Sequence, residues 1–209
     1  MQRARTDQAK DDRREVLLNA ALHEFFERGF SAARMDDIAK RAGLSKGTLY
    51  LYFDSKGALF TSLIETFALP NVERIEMAAR AAGGARNAIR AVMALAPSLV
   101  RESVVPLIAK ILIADAPAFP DMATTYRKTV IERVLAVFTD ILKDAHETGE
   151  IDVSNPALTA RLIVAPIFFS AMWRVVFEHD DEAKFDVAKL FALHEEMLLR
   201  ALHFKEEAA

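Results

Sequence analysis

The sequence predicts an all-α protein of about nine helices. Apolar residues recur at helical spacing along almost the whole chain, and alternating Val/Ile/Thr runs bounded by turn residues are absent. Only 7 Gly and 7 Pro occur in 209 residues, so few points interrupt the helical pattern. Hydrophobic residues make up 52% of the chain, enough for one large or two small cores.

The first helix is expected over about 13–28, with Leu17, Ala21 and Phe25 on one line, Val16 and Ala20 beside them, and Gly29 as its stop. Residues 1–12, polar and charged, read as a flexible arm. A short second helix covers about 35–42, buries Ile38 and Ala39, and ends at Gly43. A third follows Ser45, a natural N-cap, over about 46–53. Ser55 caps a fourth helix carrying Leu59, Leu63 and Phe67, which Pro70 should kink or break. Helical composition resumes over 71–82 and closes at Gly83-Gly84. Further helices are expected near 86–101, 103–115, 120–147, 155–178 and 185–204. In the 120–147 segment Val130, Val134, Val137 and Ile141 form one line, and Ile131, Leu135, Phe138 and Leu142 form the next. A face that wide must be covered from more than one side.

Composition removes several classes. There is no cysteine, so disulfides and thiolate metal sites are excluded and a reducing compartment fits. The N-terminus is no signal peptide, and the charge-free run between Arg161 and Arg174 is too short to span a bilayer. A cytoplasmic location with no membrane partner is therefore expected. The five histidines, His23, His146, His179, His194 and His203, form no HxxxH or HExxH pair, and Ser45-Lys46-Gly47-Thr48 lacks the upstream glycine of a P-loop. Neither an enzyme nor a cofactor or metal is expected. Net charge is −3, which by itself argues against a nucleic-acid partner. Residues 1–60, however, hold 11 basic and 9 acidic residues, so positive charge is displaced toward the N-terminus.

That N-terminal part carries the most specific pattern. Residues 29–60 read GFSAARMDDIAKRAGLSKGTLYLYFDSKGALF, two short helices joined by Ala42-Gly43-Leu44-Ser45, the layout of a helix-turn-helix. Gly43 can take the left-handed conformation of the turn, and Leu44 can tuck beneath both helices. Leu49, Tyr52 and Phe53 share one face and should meet Phe25 and Ile38 in the core. Lys46, Gly47, Tyr50 and Leu51 form the opposite face. A glycine inside a helix costs roughly 1 kcal/mol, so Gly47 makes sense where another surface approaches the backbone closely, as the major groove does. Lys46 and Tyr50 can contact phosphates or base edges, and Lys56 a flanking phosphate. The same layout also fits a packing motif with solvated lysines, or a ligand sensor without specific DNA binding.

With DIA at 37–39, AGLSKGTLYLYF at 42–53 and SK at 55–56, the segment resembles the DNA-binding domain of TetR-family regulators. The resemblance covers about residues 13–60. It implies an N-terminal three-helix DNA-binding domain, 1–55, and an antiparallel helical ligand-binding and dimerisation domain, 56–209. It further implies a homodimer on palindromic double-stranded operator DNA, released by a small-molecule effector. By position Ser45, Lys46, Gly47, Thr48 and Tyr50 become DNA contacts, with Tyr52 partly in the core and Lys56 on a phosphate. Three positions depart from the common pattern: Arg34 stands in place of a hydroxyl cap, Leu51 in place of histidine and Gly57 in place of glutamate. Arg34 would meet a phosphate with charge, and Leu51 a thymine methyl.

Residues 111–130 and the helix ending at Thr148-Gly149-Glu150 resemble the C-terminal domain of AefR-like and AcrR-like members, which implies a small-molecule or efflux-related regulator; the resemblance favours repression, with an activator as the alternative. An apolar or aromatic ligand is expected. Phe67, Met93, Phe119, Tyr126, Phe169 and Trp173 are the candidate pocket residues, with plain core packing as the alternative. The last two helices carry apolar stripes. Leu158, Leu162, Ala165, Met172 and Val176 on one, and Leu190, His194, Leu198 and Ala201 on the other, are the candidate dimer interface. A single internal hairpin is the alternative.

Overall fold

The structure, a computed structural model, describes residues 2–204, with side chains from residue 9 onward. Among the described residues there are eleven α-helical segments and no strand. They are α1 (Gln2–Ala32), α2 (Met35–Arg41), α3 (Lys46–Tyr52), α4 (Lys56–Leu63), α5 (Leu69–Ala81), α6 (Ala85–Arg101), α7 (Val105–Asp115), α8 (Pro120–Tyr126), α9 (Glu132–Glu147), α10 (Pro156–Phe177) and α11 (Val187–Ala201). A π-helical run, Ile64–Ala68, makes α4 and α5 continuous, and another, Arg127–Ile131, does the same for α8 and α9. Counting each continuous rod once returns the nine helices expected.

Three expectations need correction. Residues 2–12 are helical, continuing α1 toward the N-terminus, while Met1 of the expected arm lies outside the described residues. The segment is rich in Ala, Gln, Arg and Lys and contains no Gly or Pro, so helix is its low-cost conformation although it has no apolar periodicity. Pro70 does not break the chain's course: it follows a π-helical turn, Ile64–Ala68, and sits in the first turn of α5, where proline is tolerated. Finally, α10 is long and apolar enough, by length and composition alone, to cross a bilayer. Arg161 and Arg174 had divided the stretch in the sequence, but both lie toward the ends of a 22-residue helix, where a span tolerates them.

The chain groups into two compact units, Met1–Thr66 with Leu107–Tyr126, and Phe67–Pro106 with Arg127–Ala209. Within the first, Leu17, Leu18, Ala21, Leu22 and Phe25 of α1 are buried against Ile38, Leu49, Phe53, Leu59 and Phe60, while Val16 is exposed. The division expected after residue 55 falls inside this unit, because α4 packs on α1 and α8 on α4. Phe30 stacks against Phe25, Phe60 and Phe119, with centroids 4.8–5.9 Å apart, which ties the 107–126 segment to the end of α1.

In the second unit α6 buries Ile89, Val92, Met93 and Val100, and α9 buries Val134, Val137, Phe138 and Leu142. Helices α5, α10 and α11 pack around them. Arg133 forms a two-pronged pair with Glu76, at 2.9 and 2.5 Å, joining α9 to α5. The Glu150 carboxylate accepts from the amides of Ala85 and Arg86, supplying the cap that Gly84 cannot.

Candidate nucleic-acid interface

The reading unit is assembled from local rules. Ser45 is extended, and its Oγ accepts from the Thr48 amide at 3.0 Å, so α3 starts where a hydroxyl satisfies a free N–H. Gly43 sits at φ 69°, the left-handed turn between α2 and α3. Leu44 beside it is half-buried. The position of α2 is fixed by a buried carboxylate: Glu24, 1% exposed, accepts a hydrogen bond from Arg41 at 3.1 Å and forms an ion pair with Arg28 at 3.0 Å. Arg41 reaches on to Glu27 at 2.8 Å, an arrangement that holds Glu27 below the usual carboxylate range.

Within α3 the two faces differ sharply. Leu49 and the following Phe53 are buried, and Tyr52 is half-buried with its ring against Phe53. Opposite them Lys46 and Gly47 are exposed, Tyr50 is 42% exposed and Leu51 is 84% exposed. Lys46 Nζ lies 2.9 Å from an Asp36 carboxylate oxygen and above the Tyr50 ring, and the hydrogen bond to Asp36 raises its pKa. An exposed pair of this kind can exchange its partner for a phosphate. Arg34, the extended residue before α2, makes no capping bond with its side chain and lies close enough to oppose the Lys46 charge. Thr48 spends its hydroxyl on Ser45 at 2.8 Å. Arg34, Ser45, Lys46, Gly47, Thr48, Tyr50 and Leu51 therefore gather around one exposed helix flank.

A Cβ added at Gly47 would meet only Ser45 Oγ, at 3.8 Å. Among the described residues nothing requires a glycine there.

Lys56 behaves differently from its expected role. Its ammonium donates to the carbonyls of Phe30 at 2.8 Å and Ser31 at 2.9 Å, and it stands over the Phe30 ring. Burial pushes its pKa down. The backbone carbonyls at the end of α1 lack helical donors, and a lysine at the start of α4 supplies them, leaving one N–H for any phosphate.

Asp115 of α7 completes this arrangement and had no sequence signal beyond an acid in an apolar run. It is buried, and its carboxylate accepts from the amides of Phe30 at 2.8 Å and Ser31 at 3.3 Å. Gly29, at φ 80°, makes the bend that presents those amides, and a Cβ there would stand 3.4 Å from the carboxylate.

The six candidate pocket residues divide between the two units. Phe119 belongs to the first unit, where it lines an open cleft of about 540 Å³ with Phe30, Lys56 and Phe60. Tyr126, also in that unit, is buried, and burial pushes its phenol pKa up. In the second unit Met93 is core and Phe67 half-buried. Phe169 is 62% exposed, and Trp173 beside it gives its indole N–H to the Ala183 carbonyl at 2.7 Å. With Phe177 they continue the stripe of Leu158, Leu162, Ala165, Met172 and Val176 on α10, only three of whose residues, Ala160, Ile163 and Ser170, are buried. On α11, Val187 and Phe191 are buried, Leu190, His194 and Leu198 are half-buried, and Ala201 is exposed. His194 reaches the Ile163 carbonyl at 3.2 Å.

Residues 17–63 match the bacterial regulatory proteins of the tetR family, and residues 88–190 match the C-terminal domain of the AefR-like transcriptional repressors. The chain belongs to the TetR family. That family is one of bacterial regulatory proteins, and the chain's C-terminal match is to a class of transcriptional repressors. Over 82 residues this TetR-family chain is 40% identical to the transcriptional activator FasR of Mycolicibacterium smegmatis, covering 39% of this chain and 37% of that protein. The alignments to this and other curated relatives, such as YdgC of Bacillus subtilis, span about a third of those proteins' lengths. Among solved structures, a SmeT–triclosan complex matches with a TM-score of 0.73 at 21% identity, over 91% of each chain. FadR of Bacillus subtilis in complex with stearoyl-CoA matches with a TM-score of 0.68 at 21% identity, covering 90% of this chain and 99% of that one. Those likenesses establish a common fold.

Proposed function

We propose that this regulator is a repressor that binds a palindromic operator as a homodimer, with α3 in the major groove, and is released by a small apolar or aromatic ligand. The observation that carries the reading is the exposed flank of α3: a glycine that no internal contact demands, beside Lys46, Tyr50 and Leu51. In this reading the glycine lets backbone and duplex approach, Tyr50 and Leu51 meet base edges, and Arg34 and Lys46 meet phosphates. Two heads in a dimer would stand about 34 Å apart, or a multiple of one DNA turn. The uncovered apolar face of α10, with the exposed Leu193 and Met197 of α11, supports dimerisation through those helices in a four-helix arrangement. A cytoplasmic location goes with this reading.

Repression and ligand release draw support from relatives: one family match is to repressors, and the SmeT and FadR structures hold triclosan and stearoyl-CoA. The likeness to FasR, an activator, favours a second reading in which the same DNA contact raises transcription.

The test is fluorescence anisotropy with DNA from upstream of the protein's own gene and excess unrelated competitor, alongside a reporter driven by that DNA. Saturable, salt-sensitive binding that survives competitor, is lost in Tyr50→Ala and lowers reporter output is the expected result. Raised output assigns activation, and unchanged binding in Tyr50→Ala removes α3 from the interface. Titrating Trp173 fluorescence with apolar compounds tests the ligand, and an emission that none of them alters counts against it.

A further inference from the structure

Before Leu17, the first buried residue among those whose side chains are described, α1 has already run from Gln2 to Val16, about 22 Å of helix. Among residues 9–16 only Arg14 is withdrawn from solvent. Ordering each residue costs on the order of 1–2 kcal/mol, and an unsupported helix of this length is marginal in water. Residues 9–16 gain little from burial to offset that cost. Its composition points elsewhere: residues 2–14 hold five basic residues, Arg3, Arg5, Lys10, Arg13 and Arg14, against three acidic ones.

The extension also lies where those charges matter. Lys10, Asp11 and Arg14 share an open cleft of about 450 Å³ with Leu51 and Tyr52 of α3. Arg14 is anchored, its Nη1 donating to Thr66 Oγ1 at 3.0 Å and its guanidinium standing 5.6 Å over the Phe53 ring. Lys10 is exposed and forms no ion pair with any described side chain. One wall of the cleft is thus the exposed flank of α3, and the other carries two cations and one acid.

We infer that the N-terminal part of α1 is a second DNA-contacting element, in which Lys10 holds a backbone phosphate beside the bases that α3 faces. A major groove about 12 Å wide is bounded on both sides by phosphates, so a cationic cleft flanking a helix seated in the groove meets the backbone. Beyond Lys10 the helix continues for eight residues, about 12 Å, along the duplex, and position 3 falls one heptad before Lys10 on the same helix line. Contacts of this kind add affinity without reading sequence. The inference rests on the proposed role of α3.

The test uses the full-length protein, Lys10→Gln, a chain lacking residues 2–9, and Tyr50→Ala. Each is titrated by anisotropy at salt from about 50 to 300 mM. The probes are a duplex selected from random DNA by the unaltered protein and an unrelated duplex. Lys10→Gln is expected to reduce the slope of log K against log salt by about 0.9 and to weaken both duplexes by the same factor, about fivefold near physiological salt. The truncation lowers the slope further, and the melting temperature of Lys10→Gln stays unchanged because the Lys10 side chain is exposed. Unchanged slopes in Lys10→Gln and the truncation, with preference lost in Tyr50→Ala, overturn this inference and leave the proposed function standing. A lowered melting temperature with an unchanged slope also overturns it. If Tyr50→Ala binds normally, or the protein selects no sequence, both fall.

Discussion

Replacing Gly47 with alanine adds one methyl group to the exposed flank of α3, and two quantities should move in opposite directions. In the free protein the new Cβ meets only Ser45 Oγ, at the ordinary contact distance of 3.8 Å, and the backbone there is helical. The substitution therefore introduces no clash and gains about 0.5–1 kcal/mol, because alanine loses less backbone freedom than glycine on entering a helix. For a chain of this size that raises the melting temperature by about 1–4 °C. On DNA the same methyl occupies the space between helix and duplex. Overfilling a close-packed contact costs about 1–3 kcal/mol, which centres on a loss of roughly tenfold or more in affinity. Thermal melting of the free protein and anisotropy on a selected duplex, run on one preparation, measure both. A more stable variant with undiminished affinity would refute the idea that DNA approaches the first turn of α3. A less stable variant would refute the local structural argument itself.

Asp115→Asn should lower stability by about 1–3 kcal/mol in denaturant melts, since an amide cannot accept from both Phe30 and Ser31 and brings an N–H against one of them. Above about pH 10 the protein should lose stability, because Tyr126 ionises in the unfolded chain near the ordinary phenol value of 10.0 while burial keeps it neutral in the folded one. A phenol whose folded pKa is raised contributes fully below the unfolded value and loses that contribution as pH climbs toward the folded one. Urea melts from pH 8 to 11 should therefore show a shallower alkaline decline in Tyr126→Phe. Leu162→Glu, which places a charge on a residue 68% exposed in the α10 stripe, should shift the light-scattering mass from twice the 23.3 kDa chain toward the chain itself at micromolar concentration. A variant mass equal to the unaltered dimer would exclude that stripe from the interface.

What the sequence made legible follows from local rules. Ser45 and Ser55 as caps, Gly43 as the turn residue, and Leu17, Phe25, Ile38, Leu49 and Phe53 as the core all express helical periodicity or a dihedral requirement. The extension of α1 has no apolar period in its sequence, so periodicity gives no sign of a helix there. For Lys56 the sequence is silent, because a lysine at a helix start carries no mark of the two carbonyls that claim it. The scattering of the pocket candidates has a similar origin. Periodicity identifies an apolar face on α10 but not whether ligand, core or a second chain covers it, and Phe169 and Trp173 lie together on that face.

The peptide groups of Phe30 and Ser31 are held from two directions, their N–H groups by Asp115 and their carbonyls by Lys56. One of those two holders arrives 85 residues later in the chain than Phe30. During synthesis the first helices therefore emerge from the ribosome without the carboxylate that finishes the bend at Gly29. At about 5–20 residues per second, several seconds pass before it follows. Through that interval α1 to α4 must persist on their own contacts or wait in a looser form. A fragment cut at residue 66 would be left permanently in that state, so the excised reading head is expected to melt earlier than the same residues in the intact chain.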